Sequence, residues 1–265
     1  MIRNYIKTTS KIKKEITFFL ISDLHYFKPK DLKKCQFILE EIHKRKPAYL
    51  IIAGDLLDSS NIAHEHFFIN FIKACALETT VLIGIGNHDI TFIENKRTLY
   101  DRNKNFWKQL NKIKNVYVLD NKNFETDELC IFGITLPYSY YYEKLDVKDF
   151  LNQYLTDTNS QKLNMLLAHD PSITSKYDMT SYDIVLSGHT HNGMIPKILE
   201  KVAKNRGLIS PAKKFFPEKI RGRFWIKNTD IIISGGITKL SKRSKLSFLD
   251  AFWAHELTII TLKPE

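Results

Sequence analysis

Five short segments of this chain hold side chains able to bind metal ions or move protons. They are Ser22-Asp23-Leu24-His25, Gly54-Asp55-Leu56-Leu57-Asp58, Gly86-Asn87-His88-Asp89, Ala168-His169-Asp170-Pro171 and Ser187-Gly188-His189-Thr190-His191. Their donors are carboxylate, amide oxygen and imidazole, without thiolate. That set favours Mn, Fe or Zn in an open catalytic site over a closed structural zinc site. In an extended Asp-x-His or His-x-His, alternate side chains face the same way, so both can point at one metal cluster. A lone Asp-x-His is surface or core decoration in most proteins. Five such pieces in order leave little room for that reading.

Each piece follows an apolar run. Ile16–Ile21, Tyr49–Ala53, Val81–Ile85, Leu163–Ala168 and Ile184–Leu186 read as strands rich in Ile, Val, Leu and Phe, as does Cys130–Leu136. Amphipathic stretches separate them: Asp31–Lys46, Asn61–Leu77, Leu99–Ile113 and Asp146–Leu155 predict helices. This alternation of strand and helix predicts an α/β domain with short connections. Sites in open α/β sheets form outside the carboxyl ends of the strands, so the five loops can converge on one rim. After Gly193 the pattern changes to a basic segment, paired strands at Phe224–Lys227 and Asp230–Ser234, and a closing strand at Glu256–Leu262. No repeat or linker interrupts the chain, which predicts one domain.

The 265 residues are 43% hydrophobic and 26% charged, a balance that excludes disorder, collagen and coiled coil. No apolar run approaches the ~20 residues that span a bilayer, and no secretory leader is expected. Three scattered cysteines (Cys35, Cys75, Cys130) predict reduced thiols in a cytoplasmic protein. The net charge of +11 is unevenly placed. Residues 197–245 hold 14 basic and three acidic side chains, so the remainder of the chain is neutral. That concentration predicts an anionic partner.

The ordered motifs closely resemble those of the calcineurin-like metallophosphoesterase superfamily, whose signature runs Asp-x-His, Gly-Asp-x-x-Asp, Gly-Asn-His-Asp/Glu, a single His and Gly-His-x-His. Ser234-Gly235-Gly236 and the run from Ala168 to Pro171 look most like its bacterial branch with membrane-linked members, although Asn192-Gly193-Met194 stands where that branch has Gly-Gly-Gln. The resemblance implies an α/β/β/α sandwich of two mixed sheets flanked by helices, formed as a single domain over residues 1–265. The catalytic motifs would lie within 22–191, with the basic segment and closing strands within 193–262. It also implies two divalent ions, Mn foremost, one held by Asp23, His25, Asp55 and His191 and the other by Asp55, Asn87, His169 and His189. Asp55 would bridge them, and a water between the ions would attack the phosphorus. His88 would act as general acid, oriented by Asp58, with Asp89 the second choice.

The other residues carry weaker expectations. His43, His64, His66 and His255 read as surface or packing residues, with His64 and His66 the two that could approach substrate. The tyrosines Tyr138, Tyr140, Tyr141 and Tyr142 fit either a substrate cleft or a sheet edge. Ile195–Asn205 reads as one amphipathic helix with Ile195, Ile198, Leu199 and Val202 on a single face, either lying on an anionic membrane or covering the sheet. A phosphorylated substrate is therefore the expected partner. A lipid-linked phosphate accounts for both the site and the charge, with the protein peripheral on the membrane. A nuclease or a nucleotide phosphodiesterase of the same superfamily is the alternative, nucleic acid being the weaker reading for want of a capping domain. A non-catalytic scaffold is the alternative of another class.

Overall fold

The computed structural model describes residues 1–25, 32–57, 65–92, 97–98, 104–155, 158–208, 215, 217–237 and 255–265. Its centre is a pair of six-stranded sheets. The first runs in the order β1 (Ile2–Thr9), β14 (Leu257–Pro264), β2 (Ile16–Ile21), β3 (Tyr49–Ala53), β4 (Thr80–Gly84) and β7 (Val116–Leu119). The second runs β12 (Gly222–Ile226), β13 (Thr229–Ile233), β11 (Ile184–Ser187), β10 (Leu163–Ala168), β9 (Leu129–Ile134) and β8 (Lys122–Glu125). A two-stranded pair, β5 (Thr91–Phe92) and β6 (Arg97–Thr98), stands apart.

Both sheets are mixed. Neighbours β2, β3 and β4 run parallel, as do β9, β10, β11 and β13, while β14 against β2 and β12 against β13 are antiparallel. The parallel strands are continuous apolar runs because both of their faces are covered. Alternation of side chains then sorts one strand into two cores. Phe18 and Leu20 of β2 pack between the sheets with Leu82, Met165, Leu167 and Leu186. Phe19 and Ile21 face the other way, towards α1 (Leu32–Arg45) and α2 (Glu65–Ala76). On the outer face of the second sheet, Leu166, Val185 and Ile231 pack with Leu151 of a helix at Lys148–Tyr154. The layers are thus α/β/β/α, as the sequence implies. Each fully buried Leu, Ile or Phe adds roughly 1.5–3 kcal/mol to this arrangement.

Helix α1 shows how its sequence places it. Cys35, Ile38 and Ile42 recur at helical spacing and are buried, while His43, Lys44 and Arg45 close the last turn, where positive charge suits the helix dipole. Strands β2, β3 and β10 match their expected bounds to the residue. Ile195–Asn205 does not form the single amphipathic helix expected. It divides into a tight turn at Lys197–Leu199 and one helical turn at Glu200–Ala203, leaving Ile195 buried but Ile198 and Val202 exposed. These two residues therefore do not cover the sheet.

Candidate metal centre

Adjacent parallel strands end side by side, so the residues that follow them meet. Asp23 and His25 leave β2, Asp55 leaves β3, Asn87 and His88 open the short helix α3 (Asn87–Ile90) after β4, His169 follows β10, and His189 and His191 follow β11. Three sets of ligand atoms come together, each within 4.8 Å: Asp23, His25 and His191; His25, Asp55 and His88; Asp55, His169 and His189. Asp55 and His25 each belong to two of them.

The backbone itself is bent to this end. Asp23 (φ 56°), Asp55 (φ 56°), His189 (φ 69°) and His191 (φ 47°) all adopt left-handed conformations. For a residue with a Cβ this costs roughly 1–2 kcal/mol, and such strain gathers at functional sites. Gly54 is required for a different reason. A Cβ there would stand 2.6 Å from His169 Nδ1, so only glycine lets the second sheet's histidine approach the first sheet's loop.

Hydrogen bonds tie the loops together. The amides of Leu24 and His25 donate to the Asp55 carbonyl at 2.9 and 3.0 Å, and the His189 amide donates to Asp23 Oδ2 at 3.2 Å. Asp89 is fully buried and accepts from the amides of Asp55 (2.8 Å), Gly86 (2.8 Å) and Leu57 (2.9 Å). Its carboxylate is therefore a clasp between the β3 and β4 loops. Burial, with Asp55 nearby, lifts its pKa to about 7.

The electrostatics of the cluster divide its members. Burial alone would raise Asp55, yet the surrounding histidines, His169 foremost, hold it well below the usual carboxylate range. Burial opposes charge on His169 too, but Asp55 outweighs it and the pKa rises to about 10. Burial, reinforced by His88, keeps His25 far below its ordinary value, and burial also lowers His189. Neutral imidazole is the form that binds metal.

The donor set fits divalent ions, and His169 is the clearest test. Its Nδ1 donates to the Ala53 carbonyl at 2.7 Å, which turns Nε2 towards Asp55 Oδ2, 3.1 Å away in the buried interior. A divalent ion there would take the place of the proton that this pair now shares, since a ligating imidazole must be neutral. Asn87 is buried and its amide nitrogen is directed at the Tyr142 hydroxyl (3.5 Å).

A family model described as calcineurin-like phosphoesterase matches residues 16–193. The chain belongs to that family. Among curated relatives, an uncharacterized metallophosphoesterase of Campylobacter jejuni is 25% identical over 198 residues, covering 75% of this chain and 50% of that protein. One of Helicobacter pylori (strain 26695) is 27% identical over 188 residues, covering 70% and 47%. The chain thus spans about half the length of the curated metallophosphoesterases it matches. A solved structure from Thermus thermophilus overlaps with a TM-score of 0.49 at 8% identity, covering 83% of this chain and 89% of that one.

The remaining sequence candidates are dispersed. Asp58 and His64 lie outside the described residues. His43 is exposed and 3.0 Å from Glu78, while His66 is exposed on α2 beside Asn70. His255 approaches the Ile237 carbonyl at 2.6 Å. Gly236 carries only a resemblance in the sequence. In the fold it approaches Asp23 so closely that a Cβ would stand 3.1 Å from the carboxylate.

The basic stretch is less free than its composition suggests. Arg221 is only 1% exposed, Arg223 grips Asp230 at 2.6 Å, Arg206 meets Glu218 at 2.6 Å and Lys227 meets Asp178 at 3.1 Å. Lys201, Lys204 and Lys219 are exposed. Lys213, Lys214, Phe216, Lys239, Lys242, Arg243 and Lys245 lie outside the described residues. Among the described residues no helix is long and apolar enough to cross a membrane.

Proposed function

We propose that this chain hydrolyses a phosphate ester or pyrophosphate with two divalent ions, one held by Asp23, His25, Asp55 and His191, the other by Asp55, Asn87, His169 and His189. The observation that supports this reading is that the Asp55 carboxylate lies both with His25 and His88, from loops of the first sheet, and with His169 and His189, from loops of the second. Two such ions would polarise the phosphoryl group and activate a water for in-line attack, and the hard-to-borderline donors make Mn the first to supply. The protein's own residues do the rest. Asp89 and the backbone amides it gathers hold the β3 and β4 loops in register. The His88 amide donates to Asp55 Oδ1 at 2.9 Å, and its ring lies 4.2 Å from that of His25. From there His88 protonates the leaving oxygen, with Asp58 as its orienting carboxylate.

The substrate in this reading is a lipid-linked phosphate taken at a membrane surface. Within the basic stretch, Ile198 is 86%, Val202 80% and Phe215 69% exposed, and Lys201 and Lys204 are exposed with them. Apolar side chains left in water among lysines suit the headgroup region of an anionic bilayer. Ile198 follows His191 by only a few residues, which would bring such a surface near the metal rim.

The test is hydrolysis by the Mn-loaded chain of a nitrophenyl phosphoester, soluble nucleotides, single-stranded DNA and phospholipid phosphates in anionic vesicles. Chelator-sensitive turnover of the chromogenic ester, with vesicle substrates preferred over nucleotides, is expected. Absence of Mn-dependent turnover on every substrate would overturn the phosphoesterase reading. Preference for nucleotides or DNA would overturn the lipid.

A further inference from the structure

Three consecutive tyrosines occupy a wide, π-type helical turn at Ser139–Glu143, and they are used differently. Tyr140 is buried and its hydroxyl is satisfied within the protein, 2.8 Å from Ser172 Oγ. Tyr142 is 45% exposed, stacks on Tyr138 with ring centroids 4.7 Å apart, and reaches Asn87. Tyr141 lies between them. Its ring packs against two hydrophobic clusters at once, the outer cores of the first and second sheets, and stands 5.9 Å from the ring of His189.

The Tyr141 hydroxyl oxygen is buried and has no hydrogen-bond partner among the described residues. A buried hydroxyl of this kind calls for an explanation, because folding removes its water and returns nothing. His169, whose Nε2 faces Asp55, is a neighbour of the same His189 ring, at 5.0 Å between centroids. A phenol hydroxyl is a hydrogen-bond donor, so an anionic oxygen placed beside it would satisfy it.

We propose that the Tyr141 hydroxyl donates a hydrogen bond to a phosphoryl oxygen held beside His189, which makes Tyr141 a phosphate-binding residue of the site. This rests on the two-ion reading above and adds to it a neutral donor that no motif of the sequence marks. An oxygen carrying negative charge is the acceptor that best satisfies a protonated phenol in a dry pocket. The adjacent Tyr142, exposed and stacked, shows that the same turn also reaches the surface.

The experiment measures binding of inorganic phosphate to the Mn-loaded chain by calorimetry, with bound Mn determined in parallel. Tyr141→Phe keeps the ring and its packing and removes only the hydroxyl. It is expected to bind as much Mn as the wild type, to melt at the same temperature or slightly higher without phosphate, and to bind phosphate about tenfold more weakly. Tyr140→Phe is the control, since its hydroxyl is already engaged inside the protein. It should melt lower and bind phosphate as the wild type does. Unchanged phosphate affinity in Tyr141→Phe at full Mn occupancy would overturn the proposal, as would an equal loss in both variants. Failure of the wild-type chain to bind phosphate in any Mn-dependent way would instead bring down the two-ion reading beneath it.

Discussion

The rim of strand ends and the stretch that follows Gly193 are joined in sequence but built on opposite terms. At the rim, polar groups are buried, cross-linked between loops and held in strained backbone, with Asp23, Asp55, His189 and His191 all left-handed. After it, large apolar side chains stand in water at Ile198, Val202 and Phe215, while several of the basic ones are engaged by Asp230, Glu218 and Asp178. One region gives up stability to place a few atoms. The other gives up solubility to keep a surface available. The contrast teaches that composition alone misjudges the second region: a +11 stretch is partly internal structure, and its exposed apolar residues say more about a partner than its charge does.

Removing one group from the rim should be the most damaging change that leaves the fold standing. His88→Ala is expected to retain metal while losing about 10²–10⁴-fold in rate on a poor leaving group. The loss should shrink on nitrophenyl esters, whose leaving oxygen needs little protonation. Steady-state rates across a series of leaving groups decide this, and a uniform loss would remove the general-acid role.

Changing the surface should act more gently and elsewhere. Ile198→Ser, Val202→Ser, Lys201→Glu and Lys204→Glu combined should release the protein from anionic vesicles at least tenfold, since each lysine near such a surface contributes about 1 kcal/mol. Turnover of a soluble phosphoester should survive, because none of the four is a ligand. Wild-type binding should also weaken with salt, as exposed charges are screened over about 8 Å at physiological ionic strength. Co-sedimentation with anionic and neutral vesicles at two salt concentrations checks both statements. Equal sedimentation with the two vesicle types would break the comparison.

The rim is legible in the sequence because its chemistry admits few residue types. Carboxylates and imidazoles that meet in one cluster stand out by type, and continuous apolar runs mark the buried strands that deliver them. Edge strands are not legible in the same way. In β1 the apolar residues alternate with Arg3, Asn4 and Lys7, so Ile2–Thr9 looks like a basic terminus, although charge along an exposed edge is how a sheet is kept from pairing further. Strands β7 and β8 have four residues each, too few for a pattern. The clasp made by Asp89 is not legible either, since nothing local marks a carboxylate that gathers three backbone amides. Tyr141 is one of four similar residues, and only the packing of two layers separates the hydroxyl that finds a partner from the one that does not. The left-handed ligands are equally silent in the sequence, because the residue there is chosen for metal and not for its backbone.

The central claim is that one carboxylate, Asp55, serves two ions, and metal stoichiometry tests it most directly. Purified wild-type chain and Asp55→Asn would be equilibrated with Mn, freed of excess and measured for bound metal per chain by elemental analysis, with circular dichroism to confirm that the variant is folded. The account predicts two Mn per wild-type chain and the loss of both from Asp55→Asn, with hydrolysis lost in step. A folded Asp55→Asn that still held two Mn, or a wild-type chain that took up only one, would contradict it.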